Sequence, residues 1–166
     1  MRIVIDCRYL GKSGIGRFLE GVIEKLPTNH EYVYFGDEKI IKKYSLKGEV
    51  IHTDKDAFSF KGLFDSAKKI NQYDAFFTPN FIFPFGLKIP VYTTIHDVIF
   101  LDDRSTTNGF VDYMIKKTLI KRAAKKSKKI FTVSNFTKKR IGKHFKQKVE
   151  NKVKVVYAGV SQKILD

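Results

Sequence analysis

Residues 1–19, which read MRIVIDCRYLGKSGIGRFL, decide the fold. Arg2–Asp6 is short, rich in branched apolar residues and followed by a turn with three glycines, which is typical of a buried strand. From Arg17 to Leu26, apolar residues recur at spacings of three and four, so we expect a helix there. A strand, a glycine-rich turn and a helix together form the first part of a βαβ unit.

The same alternation continues along the chain. Further strands are predicted at Glu31–Gly36, Val50–His52, Ala75–Thr78, Val91–Ile95, Ile130–Val133 and Val153–Tyr157. Further helices are predicted at Glu38–Tyr44, Gly62–Ile70, Gly109–Ala124 and Phe136–Phe145. This alternation predicts an α/β protein with a doubly wound, mostly parallel Rossmann-like sheet flanked by helices. We expect residues 1–166 to form one such domain.

Composition excludes several classes of protein. The chain has 166 residues, of which 43% are hydrophobic, so it can bury a core and is not intrinsically disordered. No apolar run approaches the roughly 20 residues of a membrane-spanning helix. Cys7 is the single cysteine, which leaves no internal disulfide and no cysteine zinc cluster, and we expect a cytoplasmic location. No motif with metal-ligand spacing occurs, so neither a metal nor a cofactor is expected.

Positive charge is concentrated in one segment. The net charge is +15, and residues 116–154 hold 16 basic residues against one acid, Glu150. Such a segment favours a polyanion as its partner: nucleic acid, an anionic membrane surface or a phosphorylated substrate. In the helix predicted at Gly109–Ala124 we expect an inward apolar face made of Phe110, Val111, Met114, Ile115, Thr118, Leu119 and Ala123.

The basic side chains of the last two helices are expected to face an anionic bilayer, because basic amphipathic helices suit such surfaces. Merely solvated lysines are the weaker alternative. The candidate membrane-surface residues are Lys116, Lys117, Lys121, Arg122, Lys138 and Lys139. The protein is then expected to be peripheral at the inner face of the membrane.

Ligand sites in doubly wound sheets lie beyond the carboxyl ends of the strands, which selects the residues that follow each strand. In the first turn, Gly14, Ile15, Gly16 and Arg17 are candidates for an anion site at a helix N-terminus, and a flexible loop is the alternative. His96 and Asp97 are placed to bind a polar ligand or to exchange a proton, although the histidine could simply satisfy a loop carbonyl. Among the other histidines, His144 is expected to be solvated.

Two further loops follow strands. The aromatic loop Thr78–Phe85 is stiffened by two prolines, and we expect some of its large side chains to enter the core and others to remain near the surface. Ser134 and Asn135 are both expected to cap the helix that follows them.

Five motifs in register resemble the retaining glycosyltransferases of family 4, which have the GT-B fold. MRIVIDCRYL with SGIGRFL is similar to the family's IDAR and GIGRY motifs, although Cys7 stands where alanine is usual. YDAFFTPNF, TIHD and IFTVSNFT correspond to three later strand ends. VKVVYAGVS resembles the strand that leads into a second domain, with Tyr157-Ala158 in place of Pro-Asn.

The resemblance implies residue roles. Gly14 and Gly16 would lie near the diphosphate of a nucleotide-sugar donor, and His96 near the transferred sugar as an orienting group. Pro79 and Asn80 would shape the acceptor side, to which we also assign Asp97 and Ser134. The acceptor would be lipid-linked or a polysaccharide, which implies polysaccharide biosynthesis. The leaving diphosphate would be stabilised by helix N-termini and basic groups rather than by a metal.

The resemblance also implies that the chain is incomplete as an enzyme. Family members are about twice as long, and their second domain supplies the Arg/Lys pair and the E-x7-E glutamates that bind the donor. The chain is therefore expected to be the N-terminal, acceptor-binding half, inactive without a donor-binding domain or subunit. The alternatives are a basic Rossmann-like nucleic-acid-binding module and a dinucleotide oxidoreductase. No nucleic-acid motif supports the former, and the absence of G-x-G-x-x-G counts against the latter.

Overall fold

The computed structural model describes residues 1–157, and the predicted strands recur in it with small shifts at their ends. The strands are β1 (Arg2–Asp6), β2 (Glu31–Gly36), β3 (Glu49–His52), β4 (Ala75–Thr78), β5 (Val91–Thr94), β6 (Lys129–Thr132) and β7 (Val153–Val155). They form one seven-stranded sheet in the order β3-β2-β1-β4-β5-β6-β7. The pairs β1–β2, β1–β4, β2–β3, β5–β6 and β6–β7 are parallel, so the predicted Rossmann-like α/β class is confirmed.

Helices connect the strands. They are α1 (Ser13–Glu24), α2 (Glu38–Lys43), α3 (Phe60–Leu63), α4 (Ala67–Ile70), α5 (Ile99–Asp102), α6 (Gly109–Lys126), α7 (Asn135–Phe145) and α8 (Gln147–Glu150). A short 3-10 helix covers Arg104–Thr106. The helix predicted at Gly62–Ile70 is two helices, because Ser66 has a φ of 58° and interrupts the helical backbone. The four-residue helices α5 and α8 are too short to show a periodic pattern, and the sequence did not indicate them.

The chain divides into two compact units. The described part of the first unit consists of Met1–Pro79 and Phe83–Val91, and the second consists of Asn80–Ile82 and Tyr92–Tyr157. The core of the first unit is built on the buried residues Ile5, Cys7, Tyr9, Leu10, Leu19, Tyr34, Ile41 and Ala57. The core of the second is built on Ile95, Val98, Phe100, Tyr113, Ile120, Ile130, Ile141 and Val153. The end of the VKVVYAGVS motif, from residue 158 onward, lies outside the described residues.

The predicted inward face of α6 is wrong for most of its members. Leu119 and Ala123 are buried, but the large apolar residues of the first two turns are exposed. These exposed residues are Phe110, Val111, Met114 and Ile115. The core-facing arc instead consists of Tyr113, Leu119, Ile120, Ala123 and Ala124. Hydrophobic spacing centres the predicted face on the large apolar residues of the first turns, whereas Tyr113, Ile120 and Ala124, which that set omits, face the core.

A three-residue cluster connects α5 to α7 in the second unit. The Arg140 Nε donates to Asp102 Oδ2 at 2.8 Å, and its Nη2 donates to Asp102 Oδ1. The His144 Nε2 lies 2.7 Å from the same Oδ1. His144 is therefore half-buried and bonded, and the expectation that it is solvated is wrong. The hydrogen bond from Arg140 is the main reason that the pKa of Asp102 lies below its usual range.

Replacing Asp102 with asparagine should lower the stability of the protein at pH 7, because Arg140 and His144 lose their charged partner. The native pKa of Asp102 is lowered, so its contribution is present above the unfolded pKa of about 3.9 and is lost as the pH falls through the native value. Urea denaturation of wild type and Asp102→Asn should thus give a gap at pH 7 that closes below pH 4. A gap of constant size down to pH 3 contradicts the prediction.

Candidate functional site

A buried ion pair lies at the carboxyl end of β1 in the first unit. The Arg8 Nε donates to Asp6 Oδ1 at 2.8 Å, and the Arg8 Nη2 donates to Asp6 Oδ2 at 2.8 Å. The side chains of Asp6 and Arg8 are 0% and 2% exposed. The third guanidinium nitrogen, Nη1, donates to the Gly62 carbonyl oxygen at 3.0 Å. The pair therefore ties the end of the central strand to the loop that contains α3.

The charge of Arg8 is held in place by its surroundings. Burial acts to lower the pKa of the Arg8 guanidinium, but the charge and hydrogen bond of Asp6 outweigh it and the pKa lies above its ordinary value. The guanidinium carbon also lies 4.6 Å from the centre of the Phe35 ring, within the range of a cation–π contact. Sequence reasoning missed this pair, although its visible signal was an Asp-x-Arg triplet that begins at the last residue of a buried strand.

Substitution of Asp6 by asparagine should leave the Arg8 charge buried without its counter-charge. Breaking one side of a buried pair typically costs about 3–5 kcal/mol, and we expect a loss of that size in the free energy of unfolding. Urea denaturation measures it. Asp54→Asn is the matched control, because Asp54 pairs with Lys55 at an exposed position where the loss should be small. Equal losses in the two variants would contradict this account.

The turn after β1 leads directly into the N-terminus of α1. Gly11 and Ser13 have φ values of 70° and 50°, and α1 begins at Ser13, four residues before the predicted start. Within the described residues, the first turn of α1 has no acidic side chain, and Lys12 provides no cap hydrogen bond. The Lys12 Nζ instead pairs with Asp56 Oδ2 at 3.0 Å. The helix start thus presents its positive end without an internal anionic cap.

The two candidate glycines of this turn have different surroundings. A Cβ on Gly16 would lie 2.5 Å from the Tyr9 carbonyl oxygen, so Gly16 is required for packing of α1 against the turn. A Cβ on Gly14 would meet nothing within 4 Å, and Gly14 is exposed. Ile15 is half-buried against the first-unit core, and Arg17 is exposed. Packing therefore explains Gly16 and Ile15, while it leaves Gly14 and Arg17 available to a ligand.

Alanine substitutions separate these two glycines. Gly16→Ala should destabilise the protein, because backbone must move to admit the methyl group. Gly14→Ala should leave stability unchanged or raise it by up to about 1 kcal/mol, since alanine is the better helix former. Thermal unfolding of the two variants measures the difference. The packing assignment is contradicted if Gly16→Ala unfolds at the wild-type temperature.

In the second unit, two predicted residues, Ser134 and His96, are connected through Thr137. The Ser134 Oγ accepts a hydrogen bond from the Thr137 N–H at 3.0 Å and so caps α7. The Thr137 Oγ1 donates to the His96 carbonyl oxygen at 3.2 Å. The next residue, Asp97, accepts from the Ile99 N–H at 3.1 Å through Oδ1. The structure thus brings the residues after β5 together with the start of α7, and Thr137 is a positioning residue that the sequence did not indicate.

Asn135 does not cap α7, which corrects the expectation that it shares this role with Ser134. It is the first residue of the helix, and its Nδ2 donates to the Tyr157 hydroxyl at 3.0 Å.

The loop after β4 buries both predicted acceptor-side residues. Pro79 is buried in the first unit. Asn80 is 3% exposed in the second, where its Oδ1 accepts from the Phe81 N–H at 2.6 Å. Of the aromatic loop, Phe83 is fully buried and Phe85 is half-buried. Both sequence expectations for this loop, partial entry into the core and partial exposure, agree with the structure.

The six predicted membrane-surface residues differ in their exposure. Lys117, Lys121 and Lys139 are exposed. Lys116 is partly buried and its Nζ lies 2.8 Å from Asp112 Oδ2. Arg122 is also partly buried, and burial lowers its pKa to about 10, which leaves it charged at neutral pH. Lys138 is partly buried too.

The first unit also contains an open depression of about 450 Å³, which none of the predicted site residues lines. Its lining residues are Asp37, Glu38, Lys39, Lys42, His52 and Asp54, a mixture of both charges that does not favour an anionic ligand. Among residues 1–157 there is no cluster of three or more His, Cys, Asp or Glu side chains suited to a metal ion. No helix in that range has both the length and the apolarity needed to span a membrane.

Comparison with known proteins shows that the fold of this chain is similar to that of several solved structures. No family model and no curated protein matches the sequence. HepE from Anabaena, crystallised with UDP, has a TM-score of 0.65 at 12% identity, with 99% of this chain and 46% of that chain covered. Its complex with UDP-glucose gives 0.65 at 13% identity, with 99% and 45% covered. A glycosyltransferase from Rickettsia africae gives 0.56 at 18% identity, again with 99% and 45% covered. The chain therefore spans about half the length of these structures.

Proposed function

We propose that this chain is the acceptor-binding, N-terminal half of a family 4 glycosyltransferase with the GT-B fold. It would transfer a sugar from a nucleotide-sugar donor with retention of configuration. The observation that carries the proposal is a similarity in fold that covers 99% of the chain. It matches about half of a glycosyltransferase and about half of HepE, which was crystallised with UDP-glucose. The five motifs that resemble family 4 in order along the chain support the finer assignment.

The donor diphosphate is assigned to the start of α1. The exposed Gly14 allows a phosphate to approach the helix N-terminus, and Arg17 adds a positive charge one turn along. Developing negative charge on the leaving diphosphate would be stabilised there by backbone N–H groups and the helix dipole. Gly16 supports this site indirectly, because it lets α1 pack closely on the Tyr9 carbonyl.

His96 is assigned to the transferred sugar as an orienting group, not as a general base. Its backbone is fixed by Thr137, which the Ser134 cap fixes in turn. Holding a reacting group in place is itself a large contribution to catalysis, and a misplacement of about 1 Å costs on the order of 10²-fold in rate. Thr137 would therefore affect transfer through His96 without touching the sugar.

A pair of exposed phenylalanine rings in the first unit indicates an acceptor with an apolar part. This favours a lipid-linked acceptor over a polysaccharide. Phe60 and Phe64 are 78% and 59% exposed in the first unit, and their ring centres lie 4.9 Å apart. The Phe64 ring stacks at 5.1 Å on Phe85. The Ser59 cap and the Arg8–Gly62 hydrogen bond hold this loop in place. Phenylalanine offers no hydrogen bond to sugar hydroxyls, so these rings suit a hydrocarbon chain better.

A donor-binding domain is required to complete the enzyme. In the family, the second domain carries the basic pair and the glutamates that bind the donor, and this chain holds about half of the length of its structural neighbours. We propose that the donor-binding domain is supplied by the continuing or adjoining reading frame.

The test assays the chain together with that domain. UDP release from UDP-glucose and other nucleotide sugars is measured with lipid-linked and with polysaccharide acceptors. His96→Ala should lower kcat by about 10²-fold without displacing the pH profile, because the sugar loses an orienting group while the general base is unchanged. His52→Ala is the matched control, an exposed histidine at the end of β3 that should leave kcat unchanged.

Two results would contradict the proposal. One is the absence of transfer from every nucleotide sugar by a folded complex of the two domains. The other is a His96→Ala enzyme as active as wild type. Mobility-shift assays at moderate salt examine the nucleic-acid alternative, for which binding should fall steeply as salt rises.

A further inference from the structure

The outward face of α6 has an unusual composition. Phe110 and Val111 are 66% and 71% exposed, and Met114 and Ile115 are 42% and 53% exposed. The first two turns of the helix therefore present four large apolar side chains to solvent. At about 100° per residue, these positions point away from the centre of the core-facing arc, which is formed by Tyr113, Leu119, Ile120, Ala123 and Ala124. A contiguous apolar surface of this kind marks a site of interaction.

The same outward arc becomes basic in the second half of the helix. Lys117, Lys121 and Lys125 are exposed and follow the apolar residues along the axis. Asp112 is the one acidic residue in the helix, and Lys116 neutralises it at 2.8 Å. The outward face thus combines exposed apolar side chains with uncompensated positive charge, and a negatively charged partner with an apolar interior complements both parts.

Helix α7 repeats this combination on a smaller scale. Phe136 is 71% exposed in its first turn, and the exposed Lys139 follows one turn later. A protein partner would need a matching apolar groove with acidic rims. The bases of a nucleic acid would stack on Phe110 and Phe136 but would leave aliphatic side chains such as Val111 and Ile115 in water. An anionic bilayer satisfies both demands, because its phosphates bind lysines and its acyl region accepts apolar side chains.

We propose that the outward face of α6 is a membrane-docking surface for anionic phospholipid. Phe110, Val111, Met114 and Ile115 enter the boundary between headgroups and acyl chains, and Lys117, Lys121 and Lys125 contact lipid phosphates. This goes beyond the sequence-based expectation, in which the lysines alone contacted lipid and the apolar side chains faced the core. It is independent of sugar transfer, since vesicle binding needs no donor, and so the two proposals can fail separately.

Vesicle flotation of the full chain tests the proposal. Wild type should bind vesicles of equimolar phosphatidylcholine and phosphatidylglycerol, and should bind phosphatidylcholine alone far more weakly. Phe110→Ser combined with Met114→Ser should weaken binding at least about tenfold, because two apolar side chains no longer enter the bilayer. Both positions are exposed, so the unfolding temperature should not change, and circular dichroism checks this.

Matched controls give the result its specificity. Phe58→Ser removes an exposed phenylalanine of the first unit and should leave vesicle binding unchanged. Lys121→Glu with Lys125→Glu should abolish the preference for anionic lipid, while Lys43→Glu with Lys47→Glu, at exposed positions of the first unit, should not.

The proposal is overturned if the Phe110/Met114 double variant floats as well as wild type, or if Phe58→Ser reduces binding to the same extent. It is also overturned if the chain binds a single-stranded RNA oligonucleotide at physiological salt but no anionic vesicle. That outcome would assign the basic face to nucleic acid instead.

Discussion

The first unit depends on one buried interaction, the ion pair between Asp6 and Arg8. The two side chains have almost no contact with water, and each oxygen of the carboxylate accepts a guanidinium hydrogen bond. An apolar pair of similar volume could be as stable, so net stability does not explain it. What an apolar pair could not supply is the remaining hydrogen bond, which Arg8 donates to the Gly62 carbonyl oxygen. This hydrogen bond holds the loop that contains Phe60 and Phe64 against the end of β1.

In the second unit, neutral hydrogen-bonding groups hold the residues after a strand in place. Ser134 caps α7 through the Thr137 N–H, and the Thr137 hydroxyl holds the His96 carbonyl. A cap is a local interaction, and the sequence predicts it from a serine before a helix. The bond to His96 joins residues 41 positions apart, and no local pattern indicates it. This difference explains why sequence reasoning found the capping role of Ser134 and missed Thr137.

The strands were predictable for a related reason. Runs such as Arg2–Asp6 and Glu31–Gly36 are short, branched and bounded by turn residues, and each of these signals is local. The break at Ser66 was not, because a serine in the left-handed region leaves no trace in hydrophobic spacing. His144 was assigned to solvent for the same reason, since its partner Asp102 lies on another helix. The contact with Asp102 accounts for His144 and the backbone conformation of Ser66 accounts for the helix break, and hydrophobic periodicity reports neither.

The prediction of the inward face of α6 was wrong for a different reason, and this reason bears on function. Periodicity assumes that large apolar side chains face the core, and Phe110, Val111, Met114 and Ile115 do not. Sequences usually agree with their fold at every level, and violations concentrate where function requires them. Small side chains such as Ala123 and Ala124 face inward here, which frees the larger ones for another environment. Because lysines continue the outward face, the environment that we propose accepts both hydrocarbon and positive charge, as an anionic bilayer surface does.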